Sequence, residues 1–149
     1  MRNIILPLVS FVLFLSACGT EPSSNSFSLI DEDEKKITAL LNKMSVEEKV
    51  GQTCQITLDA ILQKDESNKL IEPHQIDLEK LDEAINKYKV GSILNVSNHT
   101  FTLEKWNGIV KTIQDVAAKS STGVPIIYGV DAIHGATYIQ KSTLFPQEI

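Results

Sequence analysis

The sequence predicts an α/β protein built on a parallel sheet, and three observations carry that prediction. Short strand-like runs, alternating and β-branched at Gln52–Leu58 and mostly apolar at Val90–Val96 and Ile126–Val130, alternate with segments whose apolar residues recur every three or four positions. Strands without a polar face are expected to be buried on both sides, as in a parallel sheet covered by helices. Turn residues punctuate the boundaries: Gly91 opens the second run, and Gly123 with Pro125 precedes the third, where the missing proline N–H does little harm. Connections in such an order are right-handed crossovers.

The elements follow in order. Asp31 with Glu34 forms a candidate cap and capping-box pair, and the run Asp31–Glu34 followed by Lys35 and Lys36 reads as a solvated helix start. Ile37, Leu40, Leu41 and Met44 then make one apolar stripe. Ser45 with Glu48 repeats the signature, so a second short helix starts there and turns out near Gly51. Gln52–Leu58 is the first strand and Leu62–Pro73 a polar loop on its exit side. Asp77 caps a helix with Leu78, Leu81, Ile85 and Tyr88 on one face, leading into the second strand. Thr102 caps the next, with Leu103, Trp106, Ile109, Val110, Ile113, Val116 and Ala117 at helical spacing. Gly123 is expected to end that helix in a left-handed conformation.

Three parallel strands leave an edge whose N–H and C=O groups need partners. A closed eight-stranded barrel takes roughly 250 residues, so the expectation is a truncated chain. A small open sheet completed by dimerisation is the alternative.

The 149 residues carry a net charge of −5 and 42% hydrophobic content, values of an ordinary globular protein. No cluster of Lys and Arg marks a nucleic-acid footprint, so no nucleic-acid partner is expected. Residues 1–18 form a candidate lipoprotein signal peptide. Arg2 supplies the positive start, and Ile4–Leu15 is an apolar stretch too short for a stable transmembrane anchor. Leu15-Ser16-Ala17-Cys18 resembles a bacterial lipobox, which makes Cys18 the expected lipidation site. An ordinary secretory signal with a chance cysteine is the other reading. Residues 19–30, rich in Ser, are the expected flexible tether. Localisation follows as the bacterial cell envelope, with the membrane reached through lipid on Cys18. Cys54 is then the lone thiol of the mature chain, so no internal disulfide is available. Its strand-like neighbours Gln52, Thr53, Gln55 and Ile56 predict a buried small hydrophobe; a catalytic thiol has no obvious His partner.

The residues most able to carry chemistry lie in Ile127–Gly135. This stretch runs off the carboxyl end of the third strand, where barrel enzymes build their sites. Asp131 is the first polar side chain after the apolar run and can accept hydrogen bonds from two neighbouring hydroxyls, a grip suited to a sugar. An Asp that merely caps the following turn is an equal reading from spacing alone. His134 can share a turn face with Asp131. A metal pair there lacks a third ligand, and a His holding the loop by hydrogen bonds is the plainer reading. Gly129 and Gly135 serve backbone geometry or close approach of substrate.

Tyr128–Gly135, followed by Thr143-Leu144-Phe145-Pro146-Gln147, resembles the first signature region of family 3 glycoside hydrolases. Met44–Gln52, Val90–Leu94 and Trp106 agree in order and spacing, so the likeness covers the chain from about Asp31 onward. The resemblance implies a partial (β/α)8 TIM-type barrel, its first three β/α units only, spanning 31–149, with an α/β sandwich domain after it. It implies hydrolysis of terminal β-D-glucosidic bonds with retention, by an Asp nucleophile and a Glu acid/base. Both lie beyond Ile149, so no catalytic residue is assigned here and the piece alone is expected to be inactive. The Asp of the family motif that binds sugar hydroxyls in subsite −1 corresponds to Asp131. Retaining chemistry needs no cofactor, and no metal is expected. Lys141-Ser142 departs from the Gly-Ala of many relatives, and the Lys either alters loop geometry or faces solvent. Asn95 and Asn98 each open an Asn-x-Ser/Thr sequon that a bacterial host would leave unused. The polar run Asn95–Thr100 either approaches a site or is a plain loop.

The partners expected are a β-linked glucoside or oligosaccharide, the membrane, and the remaining C-terminal part of the same chain. β-Xylosidase and β-N-acetylglucosaminidase are sister activities. A lipid-anchored solute-binding protein shares the signal and the strand–helix order but not the Asp131 block, and a non-catalytic structural lipoprotein is the third reading.

Overall fold

The structure, a computed structural model, describes residues 31–95 and 99–146. The signal peptide, Cys18 and the tether lie outside them, as does Asn98.

Helix α1 spans Asp31–Lys43, with Asp31 inside the helix rather than at a cap. Its expected stripe does not form a buried face: Ile37 and Leu41 are exposed, and only Met44, just past the helix, is buried. Helix α2, Val46–Gln52, starts on the predicted capping box. The Ser45 hydroxyl accepts from the Glu48 N–H at 3.2 Å, and the Glu48 carboxylate accepts from the Ser45 N–H at 2.9 Å. That capping satisfies two N–H groups the helix itself cannot.

Strand β1 is shorter than expected, Gln55–Thr57, because Gln52 closes α2 and Cys54 lies in the connection. Cys54 is exposed, contrary to the sequence expectation. The reason is positional: residues before the strand do not alternate into the core, and its Sγ reaches only the Val50 carbonyl, at 3.5 Å. A 3₁₀ turn at Leu58–Ile61 buries Leu58 and Ile61. The loop beyond is less free than expected, since antiparallel bridges pair Leu62 with Ile76 and Lys64 with Leu70.

Asp77 caps helix α3, Leu78–Asp82, accepting from the N–H groups of Glu79 and Lys80. Those bonds, that from Lys80 first, hold its carboxyl below the usual range. The helix continues as a π-helical turn over Glu83–Lys87, in which the Tyr88 N–H reaches back to the Glu83 carbonyl. The wider turn rotates the predicted apolar face. Leu81, Ala84 and Ile85 are buried, while Leu78 and Tyr88 are exposed.

Strand β2, Ser92–Asn95, begins where two backbones meet. A side-chain carbon at Gly91 would collide with the backbone of Gln52, and one at Gly51 with Lys89 and Tyr88. Helix α4, Leu103–Ala117, has the predicted cap, Thr102 accepting from the Lys105 N–H. Gly123 does adopt positive φ, +63°, but it does not end α4, which stops at Ala117 and passes through turns at Ser120. Strand β3 is Ile127–Val130.

The strands pair in parallel in the order β1-β2-β3, with Ile56, Ile93 and Tyr128 in one row and Thr57, Leu94 and Gly129 in the next. The first row lies against a core that includes Leu58, Leu81, Ile85, Ile109 and Ile113. The second face differs from expectation: Thr57 is exposed, and Ile127 retains 72% of its accessible surface. Among the described residues the sheet is therefore covered on one face only. Continuous apolar runs record two burials per strand, and this stretch of chain supplies one.

Candidate functional site

Parallel strands deliver their carboxyl ends to one side of a sheet, and each strand here reaches it with a polar group. Asp59 follows β1, half-buried, with Oδ1 out of solvent and without a hydrogen-bond partner among the described residues. Asn95 ends β2 fully buried. Asp131 follows β3 and is exposed; its N–H extends the ladder to the Asn95 carbonyl at 3.4 Å. Alternation along β3 groups Asp131 with Ile127 and Gly129, the residues of the uncovered face.

The loop after β3 is built by short backbone bonds. The Gly135 N–H donates to Ala132, the Ser142 hydroxyl to Ala136 at 2.6 Å, and the Phe145 N–H to His134 at 3.0 Å. Gly135 has φ +89° and lies against Thr143 and Phe145, so a side chain would be both strained and crowded there. His134 contributes through its carbonyl; its ring holds no hydrogen bond among the described residues, unlike the role the sequence suggested. Asp131 and His134 form no metal cluster among the described residues. Lys141 resolves the two readings of its departure by meeting both, with φ +64° and an exposed side chain.

Two bonds clamp this loop to the one after β2: the Phe101 N–H donates to the Tyr138 carbonyl and the Gln140 N–H to the Phe101 carbonyl, both at 2.8 Å. An aromatic run fills the junction. Trp106 of α4 stacks on Tyr138 with centroids 6.5 Å apart and meets Tyr128 edge-on at 5.5 Å and Phe101 at 6.4 Å. Burial pushes the Tyr128 hydroxyl up to about 12, with the Asn95 side chain beside it pulling the other way. Tyr138 is raised too, first by burial and then by the negative charge of Asp131. Asp131, its carboxylate open to solvent, thus stands beside the Tyr138 phenol, which in turn stacks on the Trp106 indole. Hydroxyl-rich ligands combine well with such a wall, since sugars present both polar edges and apolar C–H faces.

A cavity of about 730 Å³ lies elsewhere. It runs along the free side of β1 between α2 and α3 and is lined by Val50, Cys54, Ile56 and Tyr88 among others, with no residue of the Asp131 loop. Its apolar walls and missing neighbour strand mark a packing surface rather than a site of chemistry.

Sequence reasoning placed Asp131 just past the third strand but passed over Asp59, and it raised Asn95 only as a sequon and the start of a polar run. The rule that singled out Asp131, a polar residue emerging from an apolar strand, would have reached Asn95 as well. It also missed the pairing of His74 with His99, which no local pattern announces because 25 positions separate them.

Residues 45–149 match the model of the Glycosyl hydrolase family 3 N terminal domain. The lysosomal beta glucosidase of Dictyostelium discoideum is 34% identical over 118 residues, an alignment covering 72% of this chain and 13% of that protein. The chain therefore spans about an eighth of the length of the curated relative it matches. Matching that domain over most of its length, with the signature block running off β3 into the clamped loop, the chain belongs to glycosyl hydrolase family 3.

Proposed function

We propose that this chain opens the (β/α)8 barrel of a retaining β-glucosidase-type exo-hydrolase and that Asp131 grips the terminal sugar. The observation that carries the reading is the exposed Asp131 carboxylate at the carboxyl end of a parallel sheet, grouped with its uncovered face. In a closed barrel that face becomes the interior, and the carboxyl rim becomes the mouth. The D. discoideum relative, described as a beta glucosidase, supports a β-glucoside as substrate. A retaining pair needs two carboxyl groups about 5–5.5 Å apart, and both are assigned to residues after Ile149. Asp131 contributes binding rather than bond cleavage.

A carboxylate accepting two sugar hydroxyls supplies about 1.5–3 kcal/mol per bond when shielded from water. In the intact enzyme Asp131→Ala should lower kcat/KM on an aryl β-glucoside by about 10²–10⁴-fold, with the melting temperature almost unchanged because the side chain is exposed. Wild-type kinetics in that variant would remove Asp131 from the site. Lipid anchoring through Cys18 belongs to the same proposal and rests on the Leu15–Cys18 motif. Radiolabelled palmitate should be incorporated by the wild-type protein and not by Cys18→Ser; equal labelling of both would refute the anchor.

A further inference from the structure

We propose that Glu72, His74 and His99 form a binding site for a divalent metal of the zinc class, independent of the sugar site. The side chains come from two different connections, the long one after β1 and the one after β2. The His74 Nε2 and His99 Nδ1 atoms lie 2.7 Å apart, and Glu72 Oε1 is 3.9 Å from the same Nε2. One ligand atom from each of the three residues falls within 4.8 Å of the others.

The tautomer of His74 is set by its surroundings. Its Nδ1 is 3.1 Å from the Ile71 carbonyl, which can only accept, so Nδ1 carries the hydrogen and the neutral ring turns the Nε2 lone pair toward His99 and Glu72. A backbone carbonyl behind one imidazole nitrogen is the usual means of aiming the other at a metal. The His74 side chain is 9% exposed, with Phe101 edge-on to its ring at 6.1 Å, so its direction is held by packing. Glu72 is 81% exposed and supplies a mobile negative ligand.

Two nitrogens 2.7 Å apart share a proton in the metal-free form. Zinc bonds of about 2.0–2.2 Å place tetrahedral ligand atoms about 3.3 Å from one another, so occupancy needs the two rings to part by about 0.6 Å and Glu72 to approach both by at most about 1.5 Å. The cluster borders a cavity of about 420 Å³ also lined by Thr100, Lys105 and Gln140, which leaves room for water as a fourth ligand. Two imidazoles and one carboxylate are a borderline donor set that suits zinc over calcium or magnesium, which favour all-oxygen shells. A bound ion would tie the exit loop of β1 to that of β2, and through the Phe101 clamp to the loop of Asp131. Its role is the bracing of rim loops, with the chemistry of sugar cleavage left to carboxylates.

The test uses the intact protein carrying Cys18→Ser and Cys54→Ser, so that the thiols of this chain cannot capture the probe. Zinc sulfate alone is titrated calorimetrically into chelator-treated protein at pH 7.5, and cobalt is followed by its visible absorption. The protein should bind one more equivalent than its His99→Gln variant, and Glu72→Gln should weaken that equivalent about tenfold while leaving the circular dichroism spectrum unchanged. His134→Gln, at the third histidine, should retain it. Equal stoichiometry in the protein and in His99→Gln, or an unchanged affinity in Glu72→Gln, would overturn the site. So would a cobalt spectrum insensitive to both of these substitutions. Zinc stoichiometry is read without substrate and the Asp131→Ala kinetics without added metal, so the two proposals fail separately.

Discussion

Lys141 holds φ +64° with its side chain in solvent, so the loop pays a backbone cost and gains no contact from it. A left-handed residue with a Cβ costs about 1–2 kcal/mol, and glycine recovers that less its larger unfolded-state entropy. Lys141→Gly should therefore raise stability by about 0.5–1 kcal/mol in denaturant titrations; an unchanged or lower midpoint would show that the loop relaxes around Lys. Legibility at this scale depends on whether a residue's role is local. Asp131 and Gly135 were readable because a strand end and a tight turn are short-range events. Cys54 was misjudged because its exposure depends on where β1 begins, a matter of three residues. His74 and His99 were invisible because their meeting depends on the path of two separate connections.

Among the elements, the caps at Ser45, Asp77 and Thr102 were legible, those expected at Asp31 and Gly123 were not, and strand ends were the least legible. Ser45, Asp77 and Thr102 each accept the N–H bonds their spacing predicted, since capping is completed within one turn of chain. The face of α3 was only half readable: a π-helical turn is not written in apolar periodicity, and it carried Tyr88 outward. The junction of α2 with β2 has the least tolerance. There the Gly91 N–H donates to the Gly51 carbonyl at 3.1 Å, and any side chain on Gly91 meets the Gln52 backbone, which cannot swing aside. Gly91→Ala should cost about 2–3 kcal/mol through forced separation of the two elements, read as a lower unfolding midpoint. A loss below about 0.5 kcal/mol would mean the backbones part freely.

For the whole molecule, the strand order and parallel pairing were legible, and burial on both faces was not, because periodicity says how many faces a strand wants covered but not which residues cover them. The uncovered face and the free side of β1 together make apolar surface that water opposes. Expressed by itself, residues 31–149 should bind the dye ANS strongly, associate with concentration, and hydrolyse no aryl β-glucoside. A monomeric, dye-silent piece would show that the open face is stable in water, and measurable turnover would assign the reaction to this stretch alone.

Asn95 brings out a consequence for production of the protein. It opens an Asn-Val-Ser sequon, and the asparagine itself is sealed at the end of β2, with no accessible surface once the sheet has formed. In a eukaryotic secretory host, oligosaccharide is transferred to nascent chains before such a strand is enclosed. A glycan attached there would have no room in the finished structure, so a yeast or insect-cell preparation would divide into a folded, unmodified fraction and a glycosylated fraction unable to close its second strand.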